Sequence, residues 1–100
     1  MVYTVTMTSP AHRMFRRLSP KVRRQLIREA KKLSDNPRQG KQLKGQLRAF
    51  RSLHTVYEGM HYRIIYEVKT RLREIIVRAA GSRENLYKKL SRMKLHPLGD

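Results

Sequence analysis

The hydrophobic pattern changes its period in the first half of the sequence, and this change restricts the possible folds more than any other feature. From Ala11 to Leu33 the apolar residues recur at helical spacing, whereas short strand-like runs follow from Leu47 onward. Asp35-Asn36-Pro37 lies just before this change, and proline disfavours helical geometry in the residue that precedes it. The sequence therefore predicts an α+β protein in which two helices come before most of the strands.

Two Ser-Pro pairs predict a helical hairpin. Serine is a preferred N-cap and proline is tolerated at the first helical position, so we expect one helix from Pro10 and another from Pro20. Each helix has an apolar stripe, formed by Ala11, Met14, Phe15 and Leu18 in the first and by Val22, Leu26, Ala30 and Leu33 in the second. Ahead of the hairpin, the β-branched and aromatic residues of Val2 to Met7 predict a strand.

The later part of the sequence predicts an antiparallel meander of three strands, at about residues 47 to 56, 61 to 69 and 72 to 80. With the first strand, the meander makes a four-stranded sheet. The middle strand alternates an apolar set with a mixed set: Tyr62, Ile64, Tyr66 and Val68 against His61, Arg63, Ile65 and Glu67. We expect the apolar face to meet the helices. Glu84 to Met93 predicts a short C-terminal helix.

The charge of the chain predicts a polyanionic partner. With 24 Lys and Arg against 7 Asp and Glu, the formal net charge of the 100 residues is +17, far above that of an ordinary small domain. A merely soluble basic domain is the alternative, but nucleic acid is the first candidate. The length predicts a single domain over residues 1–100.

The residue types that are missing exclude several kinds of chemistry. The chain has no cysteine, which excludes a disulfide framework, a thiol nucleophile and a cysteine-based zinc site. Its four histidines, at positions 12, 54, 61 and 96, lack the spacing of a helical zinc motif, so we expect no metal and no cofactor. No stretch approaches the roughly twenty apolar residues that span a bilayer. These features predict a cytoplasmic protein without a membrane partner.

Three side chains are candidates for phosphate chemistry. Arg63 projects from the mixed face of its strand, which is costly unless its guanidinium reaches water or an anion. Arg83 and Tyr87 are four residues apart and so share one side of a helical turn if the C-terminal helix begins early enough to include Arg83. Guanidinium groups match phosphate oxygens, and an aromatic ring can stack on a base or exchange a proton. The alternatives are an Arg63 that pairs with a nearby glutamate and a Tyr87 that caps the core.

The segments LKGQLRAFRS, HYRIIYEV and IIVRAAGSRENLYKKL, in this order after a helical hairpin, resemble the RelE/ParE toxin superfamily. The resemblance covers about residues 2 to 90 and is greater to the RelE branch, whose members are ribosome-dependent mRNA endoribonucleases. It implies the RelE-like fold. It also implies that Arg63, Arg83 and Tyr87 share one active cleft.

The resemblance implies further site residues. Arg51 corresponds to the first of two basic residues in the strand before Arg63, and alternation puts Leu53 at the second position. Either the role of the second basic residue is lost, or a bulge turns His54 into the cleft. A His54 that is an ordinary strand histidine is equally compatible with the sequence. Lys44 resembles a position that touches RNA, although a solvated lysine is an equal alternative. The other predicted RNA contacts are Lys41, Arg48 and Lys88.

For the function, the resemblance implies a toxin of a type II toxin–antitoxin system that cuts mRNA in the ribosomal A site. The 2′-hydroxyl of the RNA would attack without a metal ion, which leaves a 2′,3′-cyclic phosphate and a 5′-hydroxyl. The expected partners are an antitoxin with an acidic or amphipathic segment, the ribosome and mRNA, with operator DNA reached only through the antitoxin. The alternatives are a ParE-like inhibitor of DNA gyrase without nuclease activity and a non-catalytic RNA- or ribosome-binding protein.

Overall fold

The computed structural model describes residues 2–98, which form a five-stranded sheet with helices on both faces. The strands are β1 (Thr4–Met7), β2 (Lys41–Gln42), β3 (Arg51–Tyr57), β4 (Met60–Lys69) and β5 (Glu74–Ser82). The helices are α1 (Ser9–Arg16), α2 (Pro20–Lys32) and α3 (Arg83–Met93), with a short 3-10 turn at Gly45–Leu47. The predicted α+β class is therefore confirmed. Within residues 2–98 no helix has both the length and the apolar character needed to cross a membrane.

Local hydrogen bonds explain where the two hairpin helices begin. The Thr8 hydroxyl accepts from the backbone N–H of Ala11 and caps α1, and Ser19 caps α2 in the same way. A proline follows in the first turn of each helix, as the sequence predicts. The side chain of Arg23 donates to three backbone carbonyls between positions 15 and 18, which ties α2 to the end of α1. The hairpin is thus fixed by polar contacts as well as by its apolar stripes.

The sheet has the strand order β1-β5-β4-β3-β2, in which β1 runs parallel to β5 and the other neighbours are antiparallel. The predicted four-stranded sheet gains a fifth strand because Lys41–Gln42 pairs with the start of β3. Two residues are too few to show an alternating pattern, so the sequence does not reveal this strand. Strand β3 begins four residues later than predicted because the 3-10 turn occupies Gly45–Leu47.

The two faces of the sheet are covered differently. The hairpin packs on the face that carries Tyr62, Ile64 and Tyr66, as the alternation predicts, and forms the larger apolar cluster. Its other buried members include Phe15, Leu26, Leu33, Leu53, Ile75 and Val77. On the opposite face α3 covers a smaller cluster, built from Phe50, Ile65, Ala79 and Leu86 with Met14 of α1. The helix leaves part of this second face open.

A β-bulge at Arg78 sets which residues of β5 reach each face. Ile65 pairs with Ala79 but the next residue of β4, Tyr66, pairs with Val77, so Arg78 is an extra residue in β5. Beyond the bulge, Gly81 pairs with Arg63 and therefore shares its face of the sheet.

A buried ionic cluster fixes the end of the second face that lies nearest to the bulge. Glu67 forms ion pairs with Lys69, at 3.1 Å, and with Arg78. Arg78 also donates to the backbone carbonyl of His96, at 2.8 Å, and Glu67 accepts from the backbone N–H of Leu98, at 3.0 Å. The carboxylate is 3% exposed, so its charge is compensated almost entirely by these contacts. The segment after α3 is thereby held against the sheet.

Candidate functional site

A cleft of about 590 Å³ lies on the part of the sheet that α3 leaves open. Its floor is formed by Ser52, Arg63 and Ile65 of strands β3 and β4. One wall is α3, with Leu86, Tyr87, Leu90 and Ser91, and the other is the segment from Lys41 to Leu47. Within residues 2–98 the lining includes basic side chains but no aspartate or glutamate. The cleft is therefore suited to an anion.

Arg63 is the central charge of the cleft floor. Its Nη1 donates to the hydroxyl of Ser52 over 3.4 Å, and its Nε is buried without a hydrogen-bond partner among residues 2–98. Buried polar groups are nearly always paired, and an unpaired one points to a ligand or to an unseen solvent molecule. Arg63 also lines the cleft, so an anion bound there would lie beside a positive charge that no acidic residue of the described lining compensates.

Arg63 lies in a row of three residues that crosses three strands. His54 of β3 is its neighbour on one side, and Gly81 of β5 is its neighbour on the other. A Cβ atom built on Gly81 would meet nothing within 4 Å. The missing side chain therefore leaves open space beside the Arg63 position of the sheet.

His54 forms a hydrogen-bonded pair with His61. Its Nε2 lies 2.8 Å from Nδ1 of His61, and the ring planes differ by 7° with 5.0 Å between centroids, so the rings meet edge to edge. The pKa of His54 is lowered from its ordinary value, first by partial desolvation and then by the positive charges of Arg63, His61 and Arg83. These influences favour the neutral imidazole, which can accept a proton.

Arg83 and Tyr87 come from the first two turns of α3. The helix begins at Arg83 because the Ser82 side chain caps it, one residue before the predicted start. Tyr87 is 58% exposed and lines the cleft, while its neighbour Leu86 is the residue that packs into the core. Arg83 lies close enough to His54 for its charge to lower the pKa of that ring. Arg63, Tyr87, His54 and Arg83 are therefore gathered on one face.

The expectation that Arg51 shares this cleft is wrong. Arg51 pairs with Tyr66, on the hairpin side, and its Nη1 donates to the carbonyls of Gly40, at 2.7 Å, and Arg38, at 3.3 Å. Leu53 lies in the larger apolar cluster on that side, so it does not occupy the second cleft position either. His54 reaches the cleft face by simple alternation, because β3 pairs with β4 in continuous register without the suggested bulge.

The four predicted RNA contacts are separated by the fold. Lys41 and Lys44 line the cleft, Lys88 is exposed on α3 outside the lining, and Arg48 lines two other grooves. The sequence interpretation missed the contributions of three residues: Ser52, His61 and Gly81. Only the pairing register of the strands brings them next to Arg63 or His54. Across residues 2–98 no group of three or more His, Cys, Asp or Glu side chains could hold a metal ion.

Comparison with protein families decides which family the chain belongs to. Residues 5–91 match the family described as ParE-like toxin of type II bacterial toxin–antitoxin systems. The chain is a RelE/ParE toxin. A comparison with curated proteins found no significant match.

Solved structures with the same fold point to the RelE-like branch of the superfamily. The toxin is similar to the toxin–antitoxin complex RelBE2 from Mycobacterium tuberculosis, with 27% identity and a TM-score of 0.72 over 83% of this chain and 93% of the other. The intact RelBE complex of Escherichia coli matches with 25% identity and a TM-score of 0.66, over 79% and 94% of the two chains. A mutant of E. coli RelE in the free state matches with 22% identity and a TM-score of 0.74, over 95% and 100%. This last likeness concerns the fold alone.

Proposed function

We propose that this RelE-like toxin is a single-domain, metal-independent endoribonuclease that cuts mRNA in the ribosomal A site and so inhibits translation. The observation that carries the proposal is Arg63 at the floor of a cleft whose described lining has no acidic residue, with one hydrogen bond, from its Nη1 to Ser52. A phosphodiester supplies the acceptor oxygens that this guanidinium lacks. The likeness to chains named as RelE toxins supports the same activity.

The proposed reaction uses the nucleophile that RNA itself carries. The 2′-oxygen attacks the adjacent phosphorus, the bond from phosphorus to the 5′-oxygen breaks, and a 2′,3′-cyclic phosphate and a 5′-hydroxyl result. The proton of the 2′-hydroxyl passes to a base, and the departing 5′-oxygen receives a proton from an acid. The extra negative charge on the phosphoryl oxygens requires cations placed in advance.

These requirements are met by Arg63 and Tyr87 of the cleft and by Arg83 and His54, which lie on the same face outside the cleft lining. Arg63 and Arg83 stabilise the charge that develops on the phosphate, as preorganised donors do. His54 is the proposed base, because its lowered pKa shifts the protonation equilibrium toward the neutral ring, which can accept a proton. His61 holds His54 through their shared hydrogen bond and so fixes which nitrogen faces the substrate. Tyr87 is the proposed acid, since its phenol hydroxyl is a hydrogen-bond donor, and its exposed ring can also stack on a base.

The ribosome supplies what the small cleft lacks. The cleft is open on one side, and its described lining offers one aromatic ring, that of Tyr87, on which a base can stack. A ribosome that orders the codon therefore does much of the positioning, and the net charge of +17 promotes docking to ribosomal RNA. Association with ribosomes should weaken steeply with salt, because each neutralised phosphate releases counterions.

The proposed restraint on the toxin is a cognate antitoxin. Two of the similar structures are named as toxin–antitoxin complexes, and a basic toxin suits an antitoxin with an acidic or amphipathic segment that folds on binding. Contacts with operator DNA would come through the antitoxin, because the toxin's own cleft is reserved for RNA.

The second candidate is a ParE-like inhibitor of DNA gyrase, which the matching family description favours. Such an inhibitor has no need for a phosphate-directed cleft with a neutral histidine beside two arginines. A non-catalytic RNA-binding protein would leave the same arrangement unused. Induction in bacteria separates the candidates: a nuclease arrests translation, and a gyrase inhibitor causes DNA damage.

The decisive experiment measures cleavage of a defined mRNA by the wild-type toxin, with and without 70S ribosomes, beside Arg83→Ala. We expect discrete cuts within translated codons only when ribosomes are present, and a loss of about 100-fold or more in the variant. Arg13→Ala is the matched control, because it removes one exposed positive charge from α1, far from the cleft. Equal cleavage by wild type and Arg83→Ala, or no cleavage by either, contradicts the proposal.

A further inference from the structure

A second groove, of about 400 Å³, lies at the β2 edge of the sheet, beyond the cleft. Three arginines line it together with two uncharged polar residues: Arg38, Gln42, Arg48, Arg51 and Thr70. Within residues 2–98 none of these arginines takes part in an ion pair, and the lining holds no carboxylate. Three cations without a counter-charge make the groove a site of positive potential.

The central arginine of the groove is held in a fixed orientation. Arg51 uses Nη1 to donate to the carbonyls of Gly40 and Arg38, at 2.7 and 3.3 Å. Its Nε and Nη2 donate to no other group among residues 2–98. A guanidinium that is anchored on one side and open on the other loses less conformational entropy when it binds an anion.

The loop that carries Arg38 is fixed from below by a buried tyrosine. The hydroxyl of Tyr66 donates to the carbonyl of Pro37, at 2.7 Å, and accepts from the backbone N–H of Gly40, at 2.8 Å. Gly40 has no room for a side chain, because a Cβ atom there would lie 2.7 Å from that hydroxyl. Burial raises the pKa of Tyr66, so the phenol keeps the proton that it donates. The groove is thus built on the core of the protein.

The lining discriminates between the anions that could occupy the groove. Its apolar members are Ala49 and Val68 only, so an amphipathic protein segment would find almost no surface on which to bury its apolar face. Phosphate oxygens need no apolar surface, and they match the donor geometry of arginine. The lining therefore favours a nucleic-acid backbone over an acidic protein.

Gln42 connects the groove with the cleft. Its side chain lines both, and its Nε2 donates to the carbonyl of Arg48, at 2.9 Å, across the β2 edge. Since β2 is the outermost strand and only two residues long, a strand that leaves the cleft can cross this edge within a short distance.

We propose that the groove formed by Arg38, Arg48 and Arg51 is a second phosphate-binding site, which holds the backbone of the RNA strand whose scissile phosphate lies in the cleft. The inference rests on the proposed function and extends it from one phosphate to a track over the sheet edge. A substrate longer than the cleft is then bound at two places on opposite faces of the sheet.

The test uses RNA that cannot be cleaved, so that binding is measured apart from catalysis. Affinities of the full-length toxin for a 2′-O-methyl trinucleotide and for a strand of roughly 12 nucleotides are measured by fluorescence anisotropy across a salt series. Arg51→Ala risks disturbing the fold, so the main variant is the double substitution Arg38→Gln/Arg48→Gln. The charge-matched control is Arg13→Gln/Arg16→Gln, which removes two exposed arginines of α1.

The long strand should lose about 0.7 in the slope of log K against log salt for each phosphate contact that the groove variant removes. The trinucleotide should bind the groove variant as it binds the wild type, and the control should leave both slopes unchanged. Equal losses in the two double variants would overturn the proposal, since net charge alone then explains the binding. It is also overturned if the groove variant keeps full RNA affinity but binds the cognate antitoxin more weakly. A toxin that shows the groove effect but cuts no mRNA would refute the nuclease and leave the site standing.

Discussion

The two faces of the sheet differ in whether their buried groups pack together or are left without a partner. On the hairpin side, Phe15, Leu26 and Ile64 are at most 2% exposed and belong to one continuous apolar cluster. On the other side the apolar cluster is small, and the sheet carries Arg63, whose Nε has no partner among residues 2–98. Apolar packing is therefore concentrated on one face and the candidate cleft lies on the other. A protein can keep an unsatisfied group at a site only if contacts elsewhere maintain the fold.

The largest expected effect tests the hairpin face. Phe15→Ala removes a buried ring from the larger cluster and should lower the free energy of unfolding by about 3–5 kcal/mol. Urea denaturation followed by circular dichroism measures this change. The comparison of the two faces fails if Arg63→Gln destabilises the protein as much.

Arg63→Gln should reduce cleavage strongly and leave folding stability almost unchanged, unlike Phe15→Ala. We expect ribosome-dependent cleavage to fall by about 100- to 1,000-fold, because a preorganised donor to the phosphate is lost. The free energy of unfolding should stay within about 0.5 kcal/mol, because among residues 2–98 the Arg63 side chain makes one long hydrogen bond. Primer extension on a translated mRNA and urea denaturation measure the two quantities on the same preparation. Arg71→Gln, at an exposed turn position, is the control for charge.

Tyr87→Phe separates stacking from proton transfer. The ring stays in place but loses its hydroxyl, so cleavage should fall by about 100-fold if the phenol is the acid. Binding of uncleavable RNA should be unchanged, because the aromatic face is retained. Undiminished cleavage would refute the acid role and leave stacking as the function of Tyr87.

Gly81→Val tests whether the open space beside Arg63 is used. The new side chain has room in the fold, since a Cβ there meets nothing within 4 Å, so stability should be nearly unchanged. Cleavage should fall by about tenfold, because the substrate phosphate is displaced from its position against Arg63. Gly81→Ala should show a smaller loss in single-turnover cleavage. Full activity in the valine variant would mean that the substrate does not enter this space.

The smallest expected effect concerns pH. Because the pKa of His54 is lowered, the ring stays neutral to a more acidic pH than free histidine, and the acidic limb of the pH–rate profile should lie below about 6.5. As the pH falls, His54 binds a proton in the unfolded chain before it does so in the folded protein. The stability that His54 contributes is therefore present above its unfolded pKa and is lost as the pH falls through the folded pKa.

An NMR titration of His54 checks the cause of this shift directly. Arg83→Gln should raise the pKa of His54 toward its ordinary value, because the charge of Arg83 is one of the influences that lower it. Arg13→Gln, on α1, should leave the titration unchanged. If the two variants titrate alike, Arg83 is too far from His54 to act in the same site.

Alternation and helix caps were enough to predict most of the fold. The period of the middle strand correctly assigned Tyr62 to the hairpin side and Arg63 to the other, since that assignment depends on neighbours in the chain. The face of β3 could not be predicted in the same way. The family pattern predicts Arg51 in the cleft and leaves Leu53 or His54 at the second position. Only the register with β4, a contact between distant residues, puts Arg51 and Leu53 on the hairpin side and His54 on the cleft face.

The cleft therefore required information that one sequence does not hold. Lys41 joins its wall only because a two-residue strand pairs with β3, and Ser52 and Gly81 join Arg63 only through pairing across strands. Their residue types carry no functional signal of their own. The buried pair of Arg78 and Glu67 was equally hidden, because a glutamate in an alternating strand resembles any solvated charge.

The extra residue at Arg78 lets β5 place two successive residues on one face of the sheet. Arg78 lies over the ring of Phe50 and Ala79 pairs with Ile65, both in the smaller cluster, whereas Val77 and Ala80 belong to the hairpin side. Loss of Arg78 would join the pairs on either side of it into one continuous register, so Ala80 and Gly81 would keep their faces. Descendants of this toxin can therefore lose the bulge without turning the cleft inside out, but they would leave the carboxylate of Glu67 without the charge that Arg78 supplies.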